Sequence, residues 1–274
     1  MRMLIVTDGS PSAEAALRLG SYLWQTHLLE KPPTLLTVVK HEADRLQAET
    51  ILARARERLG IPQALSRIRI GHETEEILRE AKEGSYDLIL VGEQQTRARL
   101  PRIVKGSKAT RVAEYACCPV LVAKGRVGPL RRILLCDSGA PSRSILSRFM
   151  AQYARLLKGG EEVTVLHVMS QISAAPGVPG KQLRASAEEL IAQGAPEGQL
   201  LESDVRTLER LHIQPRPKVR HGLVVDEIVA ETQGGDYDLV VIGAHPLEGW
   251  QHLLLDDLAR EIITCLDRPV LVVR

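Results

Sequence analysis

The chain lacks several features that would place it in a functional class at once. Its 36 basic and 34 acidic residues nearly cancel, so no overall field favours nucleic acid or an anionic membrane as a partner. No apolar run approaches the roughly 20 residues of a membrane-spanning helix. Asp8 interrupts the first apolar stretch, unlike the apolar core of a signal peptide. The 4 cysteines show no CxxC spacing, which predicts reduced thiols and a cytoplasmic location.

What the chain does contain is an internal repeat. Three segments recur in the same order, and they are Tyr86–Gly92 with Tyr237–Gly243, Pro119–Val122 with Pro269–Val272, and Leu4–Asp8 with Ile133–Asp137. Positions from Gly71 to Gly92 recur at a constant spacing of 151 residues. Such ordered matches indicate two copies of one domain. We expect the first domain over residues 1–125 and the second over residues 130–274, joined by the short linker Gly125–Pro129.

The first copy alternates apolar runs with amphipathic segments. The predicted strands are Met3–Thr7, Leu35–Val39, Leu65–Ile70, Asp87–Val91 and Val120–Ala123. The predicted helices are Ala13–Trp24 (with Ser12 as its N-cap), Ala43–Leu59, Thr74–Lys82 and Lys108–Ala116. This alternation predicts an α/β fold in which an open, parallel, five-stranded sheet is flanked by helices.

The second copy repeats this order with one large difference. Its predicted strands are Ile133–Cys136, Val163–Met169, Pro217–Arg220, Leu239–Ile242 and Val270–Val273. The difference is the segment Ser170–Gly198, which is rich in glycine, proline, alanine and serine. We expect a mobile surface loop there, built around one short helix over Gln182–Gln193.

Candidate ligand-binding residues lie at one edge of the first predicted sheet. Ligands of open α/β sheets bind beyond the carboxyl ends of the strands, where the strand order reverses. That edge carries Asp8, Val38 and Gly92, while Gly106 and Ser107 precede the last helix. The free N–H groups of a helix N-terminus suit a phosphate. Basic residues surround this pair, and they are Arg97, Arg99, Arg102, Lys105, Lys108 and Arg111. An anion site and a solvated loop before a Ser107-capped helix both remain open.

Four segments together resemble the sequence motifs of a known protein family. They are Val6–Ser12 (an apolar strand ending in Asp-Gly-Ser), Asp87–Gly92 (an apolar strand ending in Gly), Gly106-Ser107, and the Cys-Pro-Val-Leu-Val run Cys118–Val122. In this combination the chain resembles a tandem universal stress protein over essentially its whole length. The resemblance implies a Rossmann-like fold of the adenine-nucleotide α-hydrolase type, a stress-response role, and ATP as the candidate cofactor of the first copy.

The resemblance also implies roles for individual residues. Asp8 would contact the ribose, the Val38 backbone the adenine, and Gly92, Gly106 and Ser107 the phosphates; Thr7 and Lys108 complete the candidate set. The family fingerprint runs Gly, two residues, Gly, nine residues, Gly, then Ser or Thr. Here Gln95 stands at its second glycine and Gly106 comes one residue late. Because the Gln95 side chain would obstruct close approach of the backbone to a phosphate, we expect weak, salt-sensitive binding.

The second copy departs further from that fingerprint. Pro246 stands at the second glycine, and Asp256-Asp257 replaces the Gly-Ser pair before the last helix, although Asp137 is retained. Carboxylates at that place would repel phosphates. We therefore expect any adenine nucleotide to bind the first copy alone.

The last strand of each copy predicts how the copies join. Both Val120–Ala123 and Val270–Val273 are apolar, and an uncovered apolar edge strand promotes aggregation. Antiparallel pairing of these two strands would cover both edges. The resemblance implies the same arrangement, since family members commonly dimerise through this strand. The chain is then a pseudo-dimer within one polypeptide, and a further homodimer of such chains stays open.

Three functions compete at this point. The first is a cytoplasmic stress-response protein, not an enzyme, with an adenine nucleotide and unidentified proteins as partners. The second is an interaction module without nucleotide that works through its surface or the Ser170–Gly198 segment. The third is a weak ATPase or nucleotidyl-transfer enzyme. The third requires a base or an acidic metal cluster, of which the first copy offers only Asp8, so no metal site and no catalytic residue are expected.

Overall fold

The structure is a computed structural model that describes residues 1–26, 30–93, 107–137, 149–150, 153, 160–169, 185–243 and 252–273. Within these ranges, strands and helices alternate as the sequence predicts, and the predicted α/β fold is confirmed. The ten strands are mostly parallel, and the sheet structure they form is open and flanked by helices.

The described secondary structure follows the predicted segments closely. The strands are β1 Met3–Val6, β2 Thr34–Val39, β3 Leu65–Ile70, β4 Leu88–Gly92, β5 Val120–Ala123, β6 Arg132–Asp137, β7 Glu162–Met169, β8 Gln214–His221, β9 Leu239–Gly243 and β10 Val270–Val273. The helices are α1 Pro11–Gln25, α2 Arg45–Leu59 (after a 3-10 turn at Glu42–Asp44), α3 Glu73–Glu83, α4 Lys108–Tyr115, α5 Ala187–Ala192, α6 Pro196–Glu209, α7 Val224–Gly234 and α8 His252–Cys265.

The first compact unit contains Met1–Pro129 together with Asp267–Val272. Its strands follow the order β3-β2-β1-β4-β5-β10. The first five are parallel, whereas β10 runs antiparallel to β5, with Leu271 opposite Leu121. The predicted pairing of the two last strands is therefore confirmed. Every residue of β1, β4 and β5 is buried, apart from the half-buried Gly92, while β3 at the edge is mostly exposed, as its alternating arginines predict.

The second compact unit contains Leu130–Leu266. Its strands follow the order β9-β6-β7-β8, and all neighbours are parallel. This order matches β4-β1-β2-β3 of the first unit. The repeat in the sequence is thus a repeat of topology.

Two local predictions need correction. The predicted N-cap of the first helix was Ser12, but α1 begins at Pro11 and Ser10 caps it, accepting a hydrogen bond from the backbone N–H of Ala13 at 3.3 Å. Proline favours the first helical position because it lacks the N–H that would remain unpaired there. In this case Pro11 sets the start of the helix and Ser12 lies inside it.

The other correction concerns the predicted loop Ser170–Gly198. Residues 170–184 lie outside the described part of the chain, but the remainder folds. Helix α5 is shorter than predicted and starts with a capping box between Ser186 and Glu189, and α6 begins inside the predicted loop at Pro196. Leu190 is fully buried in a small apolar cluster. The proline-rich composition concealed a helix start, since proline is also a preferred first residue.

A buried polar contact links β3, α3 and the start of β4 in the first unit. Glu80 is 6% exposed, and its carboxylate pairs with Arg69 (Nε to Oε2, 2.6 Å). The Tyr86 hydroxyl donates to the other oxygen, Oε1, at 3.0 Å. A Cβ on Gly84 would lie 2.1 Å from the Tyr86 ring, so only glycine fits beside it. We call Arg69, Glu80 and Tyr86 the Arg–Glu–Tyr network.

The second unit contains the same network. Arg220 pairs with Glu231 (Nε to Oε2, 2.7 Å), and the Tyr237 hydroxyl donates to Glu231 Oε1 at 2.7 Å. Burial and this hydrogen bond raise the pKa of Tyr237 to about 12, although the contact with Thr164 opposes the shift. Each member lies 151 residues after its counterpart. Both units therefore satisfy the same buried carboxylate in the same way.

Candidate functional site

The candidate site lies where the strand order of the first unit reverses, at the carboxyl ends of β1 and β4. Asp8 follows β1, Gly92 ends β4, and Ser107 precedes α4. Val38 is half-buried in β2, where it pairs with Arg69 of β3. The topology thus brings together most of the residues that the sequence proposed for one site.

Thr7 is a buried residue that joins β1 to β2. It is 2% exposed, and its backbone N–H donates to the Leu36 carbonyl at 2.9 Å. Its own carbonyl accepts from the Thr37 hydroxyl at 2.9 Å, and its hydroxyl accepts from the Gly9 N–H at 3.3 Å. These bonds fix the end of β1 against β2 and so hold the next residue, Asp8, in place.

Asp8 is an ionised carboxylate held by two donors. Its Oδ1 accepts from the backbone N–H of Ser10 at 3.0 Å, and its Oδ2 accepts from the Lys108 ammonium at 2.9 Å. Partial burial alone would raise the pKa of Asp8, but the hydrogen bonds from Ser10 and Lys108 outweigh it and lower the pKa to about 2. Asp8 is therefore available as an acceptor for hydroxyl groups near neutral pH.

Lys108 bridges two carboxylates at the start of α4. Besides Asp8, its ammonium binds Glu73 Oε1 at 2.6 Å. Burial would lower the pKa of Lys108, but the hydrogen bonds to Glu73 and Asp8 raise it. A cation at a helix N-terminus opposes the helix dipole, and the two carboxylates compensate for that. We call this arrangement of Asp8, Lys108 and Glu73 the lysine bridge.

Sequence reasoning missed Glu73. The residue opens α3, which follows the carboxyl end of β3 at the same edge of the sheet. It lies 35 residues from Lys108 in the chain. The one available signal was its position shortly after the end of the predicted strand Leu65–Ile70, but nothing in the local pattern separates Glu73 from the other acidic residues in the first turn of α3.

Ser107 caps α4, as its residue type predicts. Its hydroxyl oxygen accepts from the backbone N–H of Thr110 at 3.1 Å. The same hydroxyl also contacts the Glu93 carboxyl, and this contact partly offsets the rise that burial causes in the pKa of Glu93. A carboxyl group therefore stands beside the serine that was expected to meet a phosphate.

Glu93 is the second residue that sequence reasoning missed. It follows Gly92 directly, and its N–H donates to the Ala123 carbonyl at 3.0 Å. Burial raises the pKa of Glu93, while Ser107 and the charge of Lys124, which is 3% exposed, oppose the rise. Within the described ranges its Oε2 is buried without a hydrogen-bond partner. Glu93 thus adds a carboxyl group to this edge, which makes the edge less favourable for anions.

The fold itself requires glycine at position 92, whether or not a ligand binds there. A Cβ at this position would lie 2.0 Å from the Ser12 carbonyl oxygen and 2.4 Å from its carbonyl carbon. No side chain can occupy that space without moving the start of α1. The close approach that requires glycine here is to the protein backbone, so the residue alone is no proof of a phosphate.

Part of the predicted site lies outside the described residues. This applies to Gly106, to Gln95 with its predicted obstruction, and to most of the basic cluster, namely Arg97, Arg99, Arg102 and Lys105. Arg111, the last member of that cluster, is exposed on α4.

A sequence profile described as the universal stress protein family matches residues 1–124 and again residues 129–274. The chain belongs to the universal stress protein family. The two matches in one chain show a tandem architecture, as the resemblance implied.

Solved structures support the fold of this universal stress protein. A universal stress protein from Archaeoglobus fulgidus DSM 4304 superposes with a TM-score of 0.71 at 16% identity, covering 100% of this chain and 96% of that chain. A protein of the same family from Pseudomonas aeruginosa UCBPP-PA14 gives a TM-score of 0.65 at 16% identity, covering 99% and 92%. No curated protein matches the sequence. At these identities the comparison establishes the fold alone.

The strand registers align the two repeats of this universal stress protein differently from the sequence comparison. Leu88 and Leu239 are equivalent, since they lie 151 residues apart in the ungapped part of the repeat. Leu88 pairs with Met3, and Leu239 pairs with Ile133. Ile133 therefore corresponds to Met3 and not to Leu4, a shift of one residue.

This shift changes the counterpart of Asp8. Asp137 takes the position of Thr7, so it is not the counterpart of Asp8. The sequence alignment of Ile133–Asp137 with Leu4–Asp8 is therefore wrong by one residue. The apolar runs of β1 and β6 are too uniform to fix a one-residue register, whereas the ladder to the neighbouring strand does so.

The lysine bridge is also confined to the first repeat. Glu73 corresponds to Val224 at the start of α7. Counted back from the shared Pro-Val-Leu-Val segment, Lys108 corresponds to Leu258. Both partners are thus apolar in the second repeat.

The acidic pair of the second repeat has a different position from the one expected. Helix α8 begins at His252, so Asp256 and Asp257 lie inside the helix rather than before it. The leucines Leu253–Leu255 favour helix, and no Gly-Ser pair delays its start. The side chains of these two aspartates lie outside the described residues.

Two further observations concern the described ranges as a whole. No cluster of three His, Cys, Asp or Glu side chains there is placed to hold a metal ion. Within the same ranges, no helix combines the length and apolar character needed to cross a membrane.

Proposed function

We infer that this universal stress protein is a cytoplasmic stress-response protein whose first repeat binds an adenine nucleotide weakly and without catalysis. The observation that carries the proposal is the Lys108 ammonium, which lies at the N-terminus of α4 and 2.9 Å from Asp8. A cation and a helix N-terminus together attract phosphate. The ionised Asp8 beside them suits the hydroxyl groups of a ribose.

The carboxylates of the site favour a nucleotide with few phosphates. Lys108 is already paired with Asp8 and Glu73, so a phosphate has to replace at least one of them. Glu93 stands beside Ser107 at the same edge. Because a triphosphate carries more negative charge than a monophosphate, these carboxylates penalise ATP more than AMP. We propose AMP as the better ligand of this site.

The test is calorimetric titration of the protein with AMP and ATP at low salt. One site per chain is expected, with AMP binding at least as tightly as ATP. Lys108→Leu copies Leu258 of the second repeat and should weaken AMP binding by about 10-fold or more, since a hydrogen bond to a charged group contributes about 1.5–3 kcal/mol. The matched control Lys82→Leu removes an exposed lysine of α3 and should leave the affinity unchanged. Two equivalent sites per chain, or unaltered binding by Lys108→Leu, would contradict the proposal.

The lysine bridge also favours a second function, an interaction module that uses no nucleotide. Lys108 and its two partners satisfy one another without a ligand. In that case AMP and ATP both fail to bind at millimolar concentration, and Glu73→Gln does not restore binding. The same titrations therefore separate the two functions.

A further inference from the structure

A pocket of about 230 Å³ opens at the opposite edge of the first unit, beside the amino ends of β1, β2 and β3. Its walls include two basic side chains, a hydroxyl, an aromatic ring and two apolar residues, which are Arg2, Lys31, Thr34, Tyr86, Pro32 and Leu65. Drug-sized ligands typically occupy about 300–1,000 Å³. The pocket therefore suits a smaller molecule.

The two cations of this pocket lack a side-chain ion pair in the described part of the chain, although the Asp87 carboxylate accepts a hydrogen bond from the backbone N–H of Arg2 at 2.6 Å. The Arg2 guanidinium lies over the Tyr86 ring, with its carbon 5.2 Å from the ring centroid. Glu30, the neighbour of Lys31 in sequence, is paired with the terminal ammonium of Met1 at 3.7 Å. Neither Arg2 nor Lys31 forms a salt bridge with a carboxylate in the described part of the chain. Stacking on Tyr86 leaves the edge of the guanidinium free to donate.

At the same edge of the second repeat, the basic side chains are paired with a carboxylate. Thr34 and Thr164 share one register position, opposite Leu4 and Leu134. Two residues earlier, the first repeat has Pro32 and the second has Glu162.

Glu162 forms ion pairs with two arginines at that edge. It binds Arg132, the counterpart of Arg2, at 3.4 Å, and Arg216 at 3.5 Å. Lys31 is likewise replaced by Glu161. The unpaired positive charge is thus a property of the first repeat and is not required by the fold.

We propose that this pocket binds a small organic anion that joins a carboxylate or phosphate head to a short apolar body. Arg2 donates hydrogen bonds to the head, and Lys31 adds a second positive charge. Pro32, Leu65 and the Tyr86 ring contact the body. The site is independent of the proposed nucleotide site, which lies at the carboxyl ends of the strands.

Benzoate is the probe for this site, and its neutral analogue benzamide is the matched control. Ligand-observed NMR of the full chain at low salt should show benzoate binding with a dissociation constant on the order of 1 mM, as its few atoms allow. Benzamide should bind at least about 10-fold more weakly. Phenyl phosphate and inorganic phosphate then identify the preferred head and the contribution of the body. Equal binding of benzoate and benzamide, or no binding of any probe, would overturn the proposal.

Two variants locate the site. Lys31→Glu copies the second repeat and should weaken benzoate binding by about 10-fold or more. Lys40→Glu makes the same charge change at the other end of β2 and should alter it by less than about 2-fold, because salt screens distant charges. Arg2→Gln should also weaken binding, whereas Lys108→Leu should not. Equal effects of Lys31→Glu and Lys40→Glu, or a loss with Lys108→Leu, would refute the assignment.

Discussion

The Arg–Glu–Tyr network and the carboxyl edge of the sheet differ in how far the two repeats agree. Arg69, Glu80 and Tyr86 recur 151 residues later with the same contacts. At the carboxyl edge, the repeats share neither the lysine nor the acidic partners that bind it. The Arg–Glu–Tyr network is thus present in both repeats with the same residue types and contacts, whereas the lysine bridge is present only in the first repeat.

This difference separates the requirements of the fold from those of a ligand. The second repeat reaches the same strand order without any counterpart of the lysine bridge, so the bridge is dispensable for folding. The network, in contrast, satisfies a buried carboxylate that would otherwise be left unpaired at high cost. A charge cluster that the fold does not need is a better candidate for function than one that it does.

The largest predicted effect is a loss of stability when the Arg–Glu–Tyr network, which both repeats contain, is disrupted. Glu80→Ala leaves Arg69 and Tyr86 without their common partner and should lower the free energy of unfolding by about 3 kcal/mol. Glu231→Ala should cost at least as much, because Glu231 also binds Lys218 at 2.7 Å. Urea unfolding measures both.

The control for this prediction is Glu83→Ala. Glu83 also contacts Arg69 but is 57% exposed, so its loss should cost less than about 1 kcal/mol. If Glu80→Ala and Glu231→Ala cost no more than this control, the network is not what the two repeats retain for stability.

The next prediction makes the first repeat resemble the second in charge. Ser107→Asp places a second carboxylate beside Glu93 and should weaken AMP binding by more than about 10-fold, which calorimetry measures. Stability should change little, because aspartate is as good an N-cap as serine. Ser107→Ala should do the reverse, with about 1 kcal/mol of lost stability and a smaller loss of affinity. A Ser107→Asp protein that binds AMP normally would show that no phosphate meets this helix.

A smaller effect, of opposite sign, is expected when the lysine bridge is released. Glu73→Gln removes one charge that competes for Lys108 and should tighten AMP binding by about 5-fold, or about 1 kcal/mol. Glu75→Gln makes the same change at an exposed position of the same helix turn and should have no effect. Equal affinities for the two variants would mean that Glu73 does not compete with the nucleotide.

The smallest effect concerns pH. The folded-state pKa of Asp8, about 2, lies below the ordinary value of 3.8. Ionised Asp8 therefore stabilises the folded protein above about pH 4, and this contribution is lost as the pH falls towards 2. Because the side chain is 38% exposed, we expect about 1 kcal/mol rather than the full linkage value. Urea midpoints between pH 5 and pH 2.5 should fall less steeply for Asp8→Asn than for the unaltered protein. Parallel curves would contradict the predicted ion pair.

Sequence reasoning succeeded where the signal is local. The strands β3, β5 and β10 have the predicted bounds, because an apolar or alternating run and its flanking turn residues lie within the same few positions. It failed where two signals compete. Proline is typical of turns and also of helix starts. For this reason the predicted start of α1 lay after Pro11, and the start of α6 at Pro196 was missed.

The sequence by itself determined the repeat, the α/β class, the strand segments, and the candidates Asp8, Ser107 and Lys108. Only the tertiary structure decided that Glu73 and Glu93 join them, and that Asp137 corresponds to Thr7 and not to Asp8. The physical reason is distance along the chain. Apolar periodicity acts over a few residues, whereas Lys108 meets Asp8 across 100 residues through the order and register of the strands between them.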